Sequence, residues 1–100
     1  MLDDSEKAAI RLMVTSYFAA ECDVDAASLQ DSTSIIEDLD GDSLMLLGLL
    51  KQVTQRYGVT VPLKELGRLL MKRPAETIGA VVDMTVLLVE HGDNIVNTDL

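Results

Sequence analysis

Apolar residues fall at helical spacing in four stretches of this chain, and no stretch keeps the alternating rhythm of a strand for any length. The first stripe is Ile10, Met13, Val14 and Tyr17, widened by Phe18, and it predicts a helix from about Ser5 to Ala20. Asp3 is placed to cap it, with Glu6 three residues on as a capping-box partner. The second stripe, Leu46, Leu49, Leu50, Val53 and Tyr57, predicts a helix from Ser43 to Tyr57 that Gly58 closes. Leu44, Met45, Gly48, Lys51, Gln52 and Gln55 then point away from the core. Leu63, Leu66, Leu69 and Leu70 form the apolar side of a short third helix, opened by Pro62 and interrupted by Pro74. Lys64, Glu65, Arg68, Lys72 and Arg73 lie on its outer side. In the fourth helix, from about Ala75 to His91, the buried face is Ile78, Val81, Val82, Thr85, Leu88 and Val89, and Gly92 ends it. Met84, Val86 and Leu87 fall off that stripe, so this helix either buries a wider face or offers an apolar contact surface.

Between the first two helices the periodicity breaks. Ser, Thr and Asp dominate from Glu21 to Asp42, with Leu29, Ile35, Ile36 and Leu39 as isolated apolar anchors. A structureless loop of this length is unusual in a compact domain, and the anchors can pin it to a bundle. Ser34 to Asp38 has the makings of a short helical turn, and Val59 to Pro62 reads as an extended link. The expected fold is all-α: a small four-helix bundle with three main helices, a short third helix and a long first loop. One domain covers residues 1–92, and residues 93–100 read as a flexible C-terminal tail.

Composition narrows the picture further. Tyr17, Phe18 and Tyr57 are the three aromatic residues and Trp is absent, so the core must be built from Leu, Ile, Val, Met and Ala. Cys22 stands alone, which rules out an internal disulfide. No signal peptide opens the chain, no apolar run spans a membrane, and the expected location is the cytoplasm. The net charge of −9 is unevenly spread: residues 1–43 hold eleven acids against Lys7 and Arg11, while residues 44–100 hold six of each sign. Such a field repels nucleic acid and anionic lipid and favours basic protein surfaces.

The chemistry concentrates in Glu37-Asp38-Leu39-Asp40-Gly41-Asp42-Ser43-Leu44. Ser43 opens a helix directly after an aspartate, where unpaired N–H groups and the positive end of the dipole suit an attached phosphate. Neither His nor Lys stands beside it to act as a base, so a self-activated serine nucleophile is not expected. No catalytic residue and no metal site is assigned. Asp38, Asp40 and Asp42 imitate positions 1, 3 and 5 of a calcium loop, but positions 6 and 12 hold Ser43 and Leu49 where Gly and a bidentate acid are needed. One thiol and one histidine, His91, cannot close a structural zinc site.

The Asp-Ser-Leu core, Gly41 two residues before the serine, the Glu-Asp-Leu lead-in and Val-x-Val-Pro at residues 59–62 together resemble an acyl carrier protein. The likeness extends over roughly Ile10 to Val89 and is specific near residues 37–62. It implies that Ser43 carries a covalent 4'-phosphopantetheine arm taken from coenzyme A, with Asp42 and Leu44 presenting it to a phosphopantetheinyl transferase. The arm's thiol would hold acyl intermediates as thioesters for acyl-loading and synthase-type enzymes of fatty-acid or specialised lipid and polyketide synthesis. It further implies a monomeric carrier acted on by other enzymes, with no nucleic acid and no integral membrane association.

This chain departs from the family pattern in its second helix. Carriers of this kind usually bear acids there; Leu44 to Tyr57 has none and carries Lys51 and Arg56. Docking is therefore expected to rely on Asp38, Asp40, Leu44, Met45, Gly48 and Lys51. Val-Pro-Leu-Lys-Glu-Leu and Arg-Pro-Ala-Glu-Thr-Ile look more like carriers of polyketide or nonribosomal peptide assembly. A peptidyl carrier for aminoacyl groups and an unmodified helical interaction domain are the alternatives.

Overall fold

The computed structural model describes residues 3–59, 61, 63–72 and 75–92; the side chains of residues 43, 63, 69 and 70 lie outside the described set, as does the tail expected at 93–100. Four α-helices run through the described residues: α1 (Asp4–Cys22), α2 (Ser43–Tyr57), α3 (Leu63–Lys72) and α4 (Ile78–His91). The ends follow local chemistry. Asp3 caps α1 by accepting the Glu6 N–H at 2.8 Å, and Asp23 closes that helix in the left-handed region at φ 54°. Gly58 closes α2 at φ 68°, a conformation glycine adopts without strain.

The fourth helix begins at Ile78, three residues after the Ala75 start expected from its apolar stripe. A non-local pairing explains the difference. Ser34 and Thr77 face each other as an antiparallel bridge, and the Ile35 N–H donates to the Glu76 carbonyl at 2.9 Å. The Ile78 and Gly79 N–H groups donate to the carbonyls of Thr33 and Asp31, each at 3.0 Å. These are first-turn donors with no partner inside their own helix, so the long loop completes the helix it crosses. Gly79 permits the approach, since a Cβ there would lie 3.0 Å from the Asp31 Cβ and 3.1 Å from its carbonyl oxygen. The Arg11 guanidinium pairs with the Asp31 carboxylate at the same place, but both side chains are largely exposed and the pair adds little stability.

Inside, Ile10, Val14 and Phe18 of α1 meet Leu49, Leu50 and Val53 of α2 and the broad face of α4. Helix α3 contributes Leu66, and Ile35 plugs the loop into the same core at 1% exposure. Phe18 is the buried ring, set edge-on to Tyr17 with centroids 5.4 Å apart. Thr85 is buried too, its hydroxyl donating back to the Val81 carbonyl at 2.8 Å.

Of the two readings of α4, the wider buried face holds: Met84 is 2% exposed, and Val86 and Leu87 are half-buried. Helix α4 packs against both α1 and α2, so it buries more than one stripe. Other facing assignments need correction. Ile36, expected as an anchor, is 61% exposed. Met45, assigned to the outer side of α2, is half-buried against the core, while Leu46 is only half-buried.

Candidate functional site

The start of α2 is assembled from three directions. From the loop, Ser34 and Asp38 close one turn: the Ser34 N–H donates to Asp38 Oδ2 at 2.7 Å, and the Asp38 N–H donates to the Ser34 carbonyl at 3.0 Å. The Glu37 N–H adds a bond to the Ser34 hydroxyl at 3.1 Å, so the helical turn expected at Ser34 to Asp38 is closed. Asp40 then takes the left-handed conformation at φ 55° and turns the chain into Gly41. The Gly41 N–H donates to the Ile35 carbonyl at 2.7 Å, which ties the end of the loop to its buried anchor. A Cβ on Gly41 would sit 2.7 Å from Ile35 Cγ2 and 3.2 Å from Met45 Sδ, so a hydrogen is required there for space.

Asp42 is the N-cap. Its Oδ1 accepts the Met45 N–H at 3.0 Å, satisfying one of the donors a helix start leaves open. Ser43 is the first residue of α2, and Leu44 beside it is 75% exposed. Asp38, Asp40, Asp42 and Lys51 are also exposed, giving an acidic rim before the helix and a lysine two turns along it. The side chains bordering the helix start are thus open to solvent. The helix dipole favours negative charge there, and the three neighbouring carboxylates oppose it.

From the inner side, α1 holds the same turn. The Tyr17 hydroxyl donates to the Met45 carbonyl at 2.8 Å, and Cys22 Sγ lies 3.8 Å from Met45 Sδ. Partial burial, then Glu21 and Cys22, raises the Tyr17 phenol above its ordinary value, so it remains a donor at neutral pH. Burial is also the largest reason the Cys22 thiol is raised, followed by Glu21 and Asp40, and this favours the unreactive thiol form. Gly48 faces Tyr17 as well: a Cβ there would come within 2.6 Å of the phenol oxygen.

Of the residues picked out in the sequence, Asp38, Asp40, Asp42, Leu44 and Lys51 lie exposed around the helix start, while Met45 and Gly48 turn toward α1. Sequence reasoning missed Tyr17 as part of this site. Its signal was Gly48 itself, a glycine inside a helix with no turn to make.

The sequence model of the family described as "Phosphopantetheine attachment site" matches residues 14–85, which include the whole of this assembly. The chain is a member of the acyl carrier protein family. It is 44% identical over 91 residues to an "Acyl carrier protein homolog" of Clostridium acetobutylicum, covering 91% of this chain and 88% of the relative. The family match supplies the cofactor, a covalently attached 4'-phosphopantetheine. A carrier domain of this kind works through the enzymes that modify it and those that load and unload it. Among the described residues, no helix of the carrier is long and apolar enough to cross a membrane.

Proposed function

We propose that Ser43 is the attachment residue and that the carrier delivers acyl thioesters to synthase enzymes of fatty-acid or specialised lipid and polyketide synthesis. The observation that carries this reading is the position of Ser43: first residue of α2, between a capping Asp42 and an exposed Leu44, in an Asp-Ser-Leu sequence. The arm, when attached, supplies the thiol on which acyl groups are held. The protein's own residues do no bond-making beyond the serine oxygen, and a separate transferase must activate that hydroxyl. Ser43→Ala is expected to abolish arm incorporation from coenzyme A while leaving the helical circular dichroism of the protein unchanged. Incorporation at the wild-type level in that variant would move the attachment site elsewhere.

Docking is proposed to rest on Leu44 with the acids of the loop rather than on an acidic α2. The lack of Asp and Glu from Ser43 to Tyr57, the exposed Asp38 and Asp40, and exposed Lys51 support this. Met45 and Gly48, facing α1, would act on docking by setting where the helix start lies. A partner of basic and apolar character fits such a surface, and it favours specialised synthases over general fatty-acid enzymes. Leu44→Ala is expected to lower transferase kcat/KM about tenfold, the weight of one apolar side chain lost from an interface. An unchanged kcat/KM would remove Leu44 from the docking surface. The carrier is further proposed to work as a cytoplasmic monomer and to catalyse nothing itself.

A further inference from the structure

We propose that Tyr17 is a positioning residue for Ser43, and that Gly48 exists to admit it. This rests on the reading of Ser43 as the arm's acceptor and adds what holds that acceptor in place.

Tyr17 belongs to α1, yet its hydroxyl donates to the carbonyl of Met45, two residues beyond Ser43 in the first turn of α2. The N–H of the same Met45 donates to Asp42 Oδ1 at 3.0 Å. The peptide groups on both sides of Met45 are therefore fixed, one from the loop and one from the neighbouring helix. Its side chain is enclosed as well, with Sδ 3.8 Å from Cys22 Sγ and against Gly41. First turns of helices fray because their N–H groups lack partners, and a serine awaiting an external enzyme is harmed by fraying.

Gly48 is the complement of that bond. A Cβ there would lie 2.6 Å from the phenol oxygen but 3.8 Å from the ring carbon bearing it. The hydroxyl alone fills the space a side chain would use. Glycine in a helix interior weakens the helix relative to alanine, and Gly48 has neither a turn nor a positive φ to account for it. The Tyr17 ring is itself held edge-on by buried Phe18, at 87° between ring planes, so the hydroxyl is aimed rather than free to swing. Raised by burial, the phenol keeps its proton at the pH where the transferase acts.

The test uses three variants of the full chain in the apo form: Tyr17→Phe, Gly48→Ala and the two combined. Each is measured for transferase kcat and KM, for amide hydrogen exchange in the first turn of α2, and for urea stability. Tyr17→Phe keeps the ring and loses only the hydroxyl. Its kcat is expected to fall about fivefold, the weight of one hydrogen bond, with faster exchange confined to the first turn of α2 and KM within about twofold, inside ordinary context scatter. Gly48→Ala is expected to lose both stability and rate, since its methyl drives the hydroxyl away. In the double variant the methyl meets only the ring carbon at ordinary contact distance. Stability is then expected to return toward that of Tyr17→Phe, with the rate remaining at the Tyr17→Phe level. A purely structural role would move stability and leave kcat alone. An unchanged kcat in Tyr17→Phe, with wild-type protein modified normally at Ser43, would overturn the positioning role by itself. A wild-type protein that accepts no arm at Ser43 would overturn the acceptor reading and this proposal together.

Discussion

Phe18→Ala is expected to lower the unfolding free energy by about 3–5 kcal/mol. The ring is fully buried where α1 meets the rest of the core, and its neighbours there are aliphatic apart from the edge-on Tyr17. Removing it leaves a cavity that branched side chains fixed on three helices fill only in part. Domains of this size are typically stable by about 5–15 kcal/mol, so the loss takes a large share of the total. The consequence reaches the site, because Tyr17 leans on Phe18 and its hydroxyl holds the Met45 carbonyl. Urea denaturation checks it: the midpoint should drop steeply with the slope unchanged. A midpoint shift worth less than about 1 kcal/mol would mean the core repacks around the hole, at the cost of a conservative swap rather than a cavity.

Gly41→Val is the second large effect, expected to cost about 2–3 kcal/mol as an overpacking change. Its Cβ alone would stand 2.7 Å from Ile35 Cγ2 and 3.3 Å from the Ile35 carbonyl oxygen. Ile35 is 1% exposed and its carbonyl already accepts the Gly41 N–H, so neither side can yield without pulling the loop off the core. The displacement would propagate to Asp42 and hence to the cap of α2, so arm transfer should slow in step with the loss of stability. Gly67→Ala is the control. Nothing lies within 4 Å of a Cβ at that helical position, so the change should raise stability by a few tenths of a kcal/mol to about 1. A neutral Gly41→Val would show that the contact with Ile35 is dispensable.

Much of this architecture was legible in the sequence because helices declare themselves through period and caps. Asp3 and Asp42 cap as their positions imply, Gly58 and Gly92 close their helices, and the seam of α1 runs through Ile10, Val14 and Phe18. The errors share a cause. The start of α4 was misplaced at Ala75 because residues 75–77 are held extended by the loop at 33–35, a pairing across some forty residues that no local period encodes. Met84 is not among these errors: it falls off the single stripe, and it is buried because α4 packs on more than one side, the wider face its sequence allows. Met45 and Gly48 were assigned outward for a related reason: α1 packs against the flank of α2's first turns, not only its central stripe.

For the candidate site, Ser43 and its flanking Asp42 and Leu44 stand out in the sequence because a helix start after an acidic loop is a local pattern. Tyr17 was not, since its part depends on a carbonyl twenty-eight residues away in sequence. The cargo and the partner enzymes are not written in the spacing of residues at all. They depend on surfaces that must match another protein's, and one side of a match does not name the other.

The central claim is that Ser43 carries the arm, and fragment mass spectrometry of coenzyme A-treated protein tests it most directly. Trypsin cuts after Arg11 and Lys51, giving one peptide that holds Ser43 together with Ser16, Ser28, Ser32 and Ser34. Incubation with coenzyme A and a broad-specificity phosphopantetheinyl transferase should add one arm to that peptide, with fragment ions placing it on Ser43. An arm on any of the other serines, or none on a well-folded protein, would contradict the account.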